Sequence, residues 1–453
     1  MPSVFEPARQ LPVYGEYEVL VLGGGPAGLA AAASAAKHGA RTLLVERYGF
    51  LGGMGTAGGV TNFAGLYGKR HGVMQQVVHG VVDDLLARID ALGGLNAPQD
   101  GMGGRIRVRS YDVSAYKCAA DQLMLSRGVE LLFHAYASAV AMSPDGKRID
   151  ALIVETKSGR QAIRAQRFID CSGDADIAHF AGLPFEVGDG AGSGLFPTTM
   201  FRVGHVDATQ ALAAIGDFKA INALMNAAKA RDPVRYQFPR DGAIVRPNKN
   251  PSEWRVNVTQ IANAAGQAMN ALDARELSDG ELEGRRQVGA YFEFLRREVP
   301  GFANSAIVDI APQVGIRETR RVLGMYQLSG EDILSSAHFD DVIGVNAWPM
   351  ELHRAGGIDW AFPRSGEAPD ERSYNDLPWR MLLAQSIDNL LVAGRCASMS
   401  HEGQSAARAS GACFVMGQAA GTAAALLPST APFASMHVPR LQATLQNDGA
   451  YWD

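Results

Sequence analysis

Apolar positions along this chain fall into runs whose spacing predicts the elements. Val19 to Leu22 is an unbroken apolar run, of the kind found in strands buried on both faces of a parallel sheet. Glycines follow at once, then the Ala-rich stretch Leu29 to His38, a predicted helix stopped by Gly39. Thr42 to Val45 is a second apolar strand ending at Glu46. The spacing predicts an amphipathic helix over 75–98, with Gly93 and Gly94 at its end, and another over 112–127 leading to a strand near 129. After Gly188 the pattern changes. "AGSGLFPTTMFRVGHV" predicts a strand entering a second domain, 208–231 and 257–298 predict Ala-rich helices, and "RDPVRYQFPRDGAIVRPNKNPSEW" reads as a Pro-rich connector. Leu390 to Ala393 predicts a last strand, followed by the small-residue helix "SAARASGACFVMGQAAGTAAAL". There is no internal repeat, heptad pattern or low-complexity segment.

Composition narrows the class without naming a function. The 453 residues favour two domains, or one with an insertion, and 47% hydrophobic with 20% charged residues is ordinary for a globular chain. A formal net charge of -5 gives no basic excess for nucleic acid or an anionic membrane, so small molecules are the expected partners. The four cysteines form no CxxC pair and suit a reducing, cytoplasmic setting; Cys171 and Cys396 read as small buried residues. No signal segment is expected at the N-terminus. The best candidate for a membrane span, 19–36, is broken by glycines and a proline, so no membrane insertion is expected.

The glycines after the first strand add chemistry. Gly23, Gly25 and Gly28 form G-x-G-x-x-G between a strand and a helix, with a second strand and a terminal acid in order behind them. In that context Gly23 makes the turn, Gly25 lets backbone approach a pyrophosphate at the helix N-terminus, and Gly28 lets helix and strand pack closely. Glu46 is placed to accept from ribose hydroxyls. A second glycine cluster, "GDGAGSG" at 188–194, follows no strand and opens no helix, so it predicts a loop.

The residues after Glu46 carry a resemblance. "ERYGFLGGMGTAGG" is similar to the loop beneath the flavin in FAD-dependent oxidoreductases of the glutathione-reductase-like and fumarate-reductase-like kind. "GVELLFHAYASAV", "RAQRFIDCSGDADIAHFAGLPFEVG", "GIRETRRVLGMYQLSGEDIL", "IGVNAWPMELHRAGG" and the C-terminal stretch resemble further blocks of these proteins in the expected order, whereas 205–300 carries no such signature. The resemblance implies an α/β fold: a Rossmann-like FAD-binding domain with a three-layer parallel sheet and an inserted substrate or cap domain. It implies FAD-domain segments at 1–204 and 381–453, and a cap at 205–380 that returns to the FAD domain near 310–330. Where many relatives have Asp after the glycine of the last strand, Gly394 is followed here by Arg395 and Cys396, which points to a subfamily ending that strand in Gly-Arg-Cys. The loop has no His for a flavin bond, so non-covalent FAD is implied. No second nucleotide unit serves NAD(P)H, so electrons pass to an external acceptor. A homo-oligomer is left open.

The resemblance implies these cofactor contacts: Gly23, Gly25, Pro26, Ala27, Gly28, Glu46, Arg47, Gly52, Gly53, Met54, Thr56, Ala137 beside adenine, the turn Ser172, Gly173 and Asp174, then Gly394, Arg395, Ala406 and Arg408. Arg395 either meets the pyrophosphate or a neighbouring acid, or is a solvated surface residue. A helix beginning near Ala406 is expected to aim its dipole at the flavin N1–O2 edge. For catalysis, His401 and His353 are the acid–base candidates, with Tyr374 and Glu402 behind them. Arg317, Arg320 and Arg321 share a face if helical, and suit either a substrate carboxylate or an ion-pair belt with Glu318. The expected activity is hydride exchange between flavin N5 and a small organic substrate, with a carboxylate on it as one option. An FAD monooxygenase or a non-catalytic flavin binder is the alternative.

Overall fold

The computed structural model describes residues 3–216, 218–364 and 372–453. Its centre is a seven-stranded sheet built from β1 (Val13–Leu22), β2 (Thr42–Val45), β3 (Glu130–Leu132), β4 (Tyr136–Met142), β5 (Ile149–Thr156), β6 (Gly159–Asp170) and β7 (Leu390–Val392). The order is β3-β2-β1-β6-β5-β4, with β7 on β6. Strands β3, β2, β1, β6 and β7 are parallel, whereas β5 runs antiparallel to both β4 and β6. The sheet is therefore mixed rather than wholly parallel. The 128–140 block that reads as one strand splits into β3 and β4, with His134 at φ 53 between them.

Helix α1 (Pro26–Lys37) lies on this sheet, and its closest partner is a second Ala- and Gly-rich helix near the C-terminus. The expected single helix there is broken in two: α2 (His401–Ala407) and α3 (Ser410–Leu426), bent by 92°. The small residues of α3 serve helix packing. A Cβ on Gly417 would sit 2.0 Å from the Ala27 carbonyl oxygen, and one on Gly421 2.0 Å from that of Ala31. Only glycine admits a backbone that close, so α1 and α3 bury each other's main chain. Among the described residues no single helix is long and apolar enough to cross a membrane.

A second, four-stranded sheet contains Phe201–Gly204, Ile244–Pro247, Trp254–Asn257 and Ala306–Ile310, all antiparallel. Phe201, Trp254, Tyr291 and Phe294 build its separate core against the 25-residue helix Ala274–Glu298. The Pro-rich 231–254 stretch thus supplies a strand, and the helix expected from 257 begins only at Ala274, capped by Asp273. The 208–231 stretch forms helices Ala208–Ile215 and Phe218–Arg231. The predicted 75–98 helix contracts to Val81–Ala91, its first residues pairing as strand Val73–Gln76, while Val113–Ser126 forms as expected with Asp112 as N-cap.

Candidate active site

Among the described residues a cleft of about 1670 Å³, its open mouth included, runs through the molecule. It begins where β1, β2, β6 and β7 end, the place parallel sheets offer to ligands. At this end the backbone does the shaping. Gly23 has φ 97 and would place a Cβ 2.4 Å from the Cys171 oxygen, while Gly53 would place one 2.7 Å from the Cα of Gly25. Gly25 is the N-cap of α1 and no side chain caps the helix, so its first-turn amides keep their donors for an anion. Glu46, 4% exposed, accepts from the Gly24 amide at 2.6 Å and the Tyr48 amide at 3.0 Å. Burial raises its pKa.

In the middle, Asp174 is clamped by Arg47 at 3.1 Å and Arg395 at 2.8 Å, and accepts from Thr319 at 2.9 Å. Burial would raise its pKa, but the two guanidiniums override that and hold it at about 2. The neighbouring Asp176, at the cleft wall, is pushed up to about 7 by burial and by the charge of Asp174. Arg395 therefore meets a neighbouring acid while lining the cleft, and is no solvated surface residue.

The far end is lined by Tyr111, Thr198, Asn257, Arg317, Trp348, Glu351, His353 and Arg408, among others. Strand Met350–Arg354 presents Glu351 and His353 on one face, two residues apart. Glu351 is a hub: it meets His353 Nε2 at 3.0 Å, accepts from Trp348 Nε1 at 3.1 Å, and has Arg408 at 3.5 Å. Burial would raise its pKa, but His353 and the arginines keep it ionised, well below the usual carboxylate range. Burial and the charge of Arg317 push His353 down to about 3, so it is neutral at neutral pH. An ionised Glu351 can only accept, so His353 Nε2 carries the proton and Nδ1 keeps the ring's lone pair. Arg317 donates to the Phe196 carbonyl at 2.5 Å, and burial beside Arg408 pushes its pKa well below its ordinary value.

Of the expected cofactor contacts, Gly23, Gly25, Pro26, Ala27, Glu46, Arg47, Gly53, Met54, Ala137, Ser172, Gly173, Gly394, Arg395 and Arg408 line this cleft. Gly28, Gly52, Thr56, Asp174 and Ala406 support it from behind. A Cβ on Gly28 would lie 1.7 Å from the Gly23 oxygen, the Gly52 amide donates to Gly24, and the Thr56 hydroxyl donates to Leu51. Ala406 lies inside α2, so the helix start expected there is displaced: α3 opens at Ser410, and it is Ala409 and Ser410 that reach the cleft.

His353 and Arg317 line the far end, but His401 does not. Its Nδ1 lies 3.0 Å from Glu318, which also pairs with Arg321. The three arginines share no face, because 315–320 is irregular chain rather than helix. Arg317 faces the cleft, Arg320 bonds Asp174 and Asp176, and Arg321 pairs with Glu318, so the carboxylate and ion-pair readings divide among them. Tyr374 is buried against Asp453 and Glu402 is exposed, both away from the cleft. Glu351, Trp348 and Asn257 escaped the sequence reading. The alternation of Glu351 and His353 in "WPMELH" was the one signal for the pair; Asn257, at a strand end in the unsigned region, had none.

The cleft meets the demands of FAD: a glycine-shaped turn against an uncapped helix start, a buried acid at the second strand's end, and continuous space leading to a polar chamber. Among the described residues no cluster could hold a metal ion. The chain is similar to a geranylgeranyl bacteriochlorophyll reductase-like protein of Thermoplasma acidophilum, with 13% identity, 96% of this chain and 83% of that chain covered, and a TM-score of 0.46. It is also similar to a flavin-dependent brominase (12%, 95% and 83%, 0.46) and to p-nitrophenol 4-monooxygenase of Pseudomonas putida (14%, 69% and 70%, 0.39). No curated protein matches it. The profile of the family described as FAD dependent oxidoreductase matches residues 18–445, so the chain belongs to that family of enzymes and FAD is its cofactor.

Proposed function

We propose that this enzyme exchanges a hydride between a small carboxylate-bearing substrate and non-covalently held FAD. Gly23, Gly25 and the first turn of α1 would hold the pyrophosphate, Glu46 the ribose and the Ala137 backbone the adenine, with 205–380 acting as the cap. When bound, FAD supplies the two-electron acceptor or donor. The observation that carries the substrate class is the pair of half-buried guanidiniums, Arg317 and Arg408, beside the Glu351 carboxylate, which already serves His353 and Trp348, while Glu318 is held by Arg321 and His401. That leaves an uncompensated positive charge in a place shielded from water, where an anion is strongly favoured.

In the oxidative direction His353 Nδ1 would take the substrate's O–H or N–H proton while Glu351 holds the ring and its tautomer. Burial and the charges of Arg317 and Arg408 all depress His353, and a carboxylate against the two guanidiniums offsets their part, so substrate binding itself raises the proton affinity of the base. Trp348 and Tyr111 shield the chamber and orient the substrate's apolar part.

The test is anaerobic mixing of the yellow protein with hydroxy, amino and unsaturated acids beside their amides and esters. Bleaching, or reoxidation of dithionite-reduced protein, by free acids alone supports the reading. Turnover of the neutral esters at equal rates refutes it. Oxygen uptake with a hydroxylated product would instead make the protein a monooxygenase.

A further inference from the structure

Behind the far wall of the cleft stand two buried arginines that form no ion pair among the described residues. Arg240 and Arg255 are 5% and 3% exposed. Arg240 donates to Asn257 Oδ1 at 3.1 Å. A guanidinium has no acceptor, so the atom facing it is the amide oxygen, and the Asn257 NH2 remains for the cleft that this residue lines. Arg255 donates to Ser110 Oγ at 2.6 Å, whose hydroxyl donates in turn to Asn62 Oδ1 at 2.7 Å. Asn62 also lines the cleft, and its amide is turned the same way. Strand Asn62–Phe63 and strand Trp254–Asn257 thus bring amide donors to one chamber from distant parts of the chain.

The charges behind these amides matter as much as their direction. Burial lowers the pKa of Arg240, and pushes Arg255 down to about 10, which leaves Arg255 charged at neutral pH. Glu351, the carboxylate lining this end, already serves His353, Trp348 and Arg408. A substrate with one carboxylate would settle Arg317 and Arg408 and leave this second group of donors unpaired in a shielded space.

We propose that Asn257 and Asn62, oriented by Arg240 and by Arg255 through Ser110, form a second oxyanion subsite, so that the substrate is a small dianion carrying two acidic groups. One carboxylate lies against Arg317 and Arg408, and the second acidic group against the two amides. Arg240 and Arg255 are positioning residues: they fix which amide atom is presented. This rests on the carboxylate reading of Arg317 and Arg408 above.

The test titrates FAD-loaded protein at fixed pH and ionic strength with matched probes: malonate against propionate, glutarate against valerate, and phosphonoacetate against acetate, read from the difference spectrum of bound flavin. In at least one pair the dianion binds about tenfold tighter or more. Preference confined to the phosphonate makes the second group a phosphoryl oxyanion; preference for malonate or glutarate makes it a carboxylate. Asn257→Leu, Asn62→Leu and Arg240→Met each bring the ratio toward unity, with flavin content retained and the affinity for the monoacid changed less than about threefold. Equal binding of both members in every pair, or a ratio that survives all three substitutions, overturns the second subsite. Monoacid binding that requires Arg317 but shows no dianion advantage sinks this inference alone. If no acid binds, or if binding survives Arg317→Ala, the carboxylate reading fails and takes the subsite with it.

Discussion

Two glycine-to-alanine substitutions separate the intrinsic cost of glycine in a helix from the need for it in a contact. Gly289 lies in the helix Ala274–Glu298 with open space around a would-be Cβ, and Gly417 lies in α3 with one 2.0 Å from the Ala27 oxygen, 2.7 Å from its carbon and 2.8 Å from its Cα. Both changes gain about 0.5–1 kcal/mol because alanine loses less backbone entropy in a helix. For Gly289→Ala that is the whole effect. For Gly417→Ala the three nearest atoms all belong to the Ala27 backbone, which cannot rotate away, so α1 and α3 must part by about an ångström. Overpacking of this kind costs about 1–3 kcal/mol, leaving a net loss of up to about 2.5 kcal/mol. Ala27 also lines the cleft beside the N-cap Gly25, so displacing α1 moves the uncapped amides proposed to hold the pyrophosphate. A loss of about 1.4 kcal/mol there is a tenfold weaker FAD affinity. Urea unfolding of FAD-free protein and flavin fluorescence titration measure the two quantities. The reasoning is refuted if both variants are stabilised alike and Gly417→Ala binds FAD as tightly as the parent.

Gly28→Ala forces a Cβ to 1.7 Å from the Gly23 oxygen, and flavin content at purification should fall below about a tenth of the parent's while the four-stranded sheet still folds, as read by absorbance and limited proteolysis. Arg317→Ala should weaken an acid substrate by about 2–4 kcal/mol in kcat/KM and leave the bound flavin spectrum unchanged; the change to Lys recovers only part, since it lacks the fork. His353 has a folded pKa of about 3, below its unfolded value near 6.5, so the unfolded state takes the proton first as pH falls. This group therefore costs stability below pH ~6.5, by about 1.4 kcal/mol per unit, down toward pH 3. Between pH ~5.5 and 6.5 Glu351 stays ionised in both states, so His353→Gln should show a shallower loss there than the parent; identical slopes in urea unfolding would deny the neutral imidazole.

The contrast between His401 and His353 shows how far local reasoning reaches. Both are single imidazoles in stretches that resemble family blocks, and His401, in the loop after the predicted strand Leu390 to Ala393, has the placement that parallel sheets offer to ligands. Its fate was decided by Glu318, far away in sequence, whose carboxylate holds Nδ1 at 3.0 Å. The surroundings of His353 are set by Glu351 and Arg317, of which only the first is near it in the chain. Arg317, Arg320 and Arg321 likewise diverge because the chain between them is irregular, and periodicity has nothing to say about irregular chain.

The sequence by itself determined the nucleotide end of this protein. There the function is carried by backbone: a strand, glycines at fixed offsets, a helix and an acid, all consecutive, so spacing alone specifies geometry. The small residues of 410–426 were equally visible, but their purpose was not. Only the assembled fold shows that Gly417 and Gly421 meet α1 rather than a ligand, and that the helix breaks before Ser410. The far chamber was decided wholly by tertiary structure, because Asn62, Asn257, Arg317, Glu351 and Arg408 come from separate segments. Their chemistry lies in which charges burial leaves uncompensated, and that is a property of the three-dimensional surroundings, not of any one stretch of sequence.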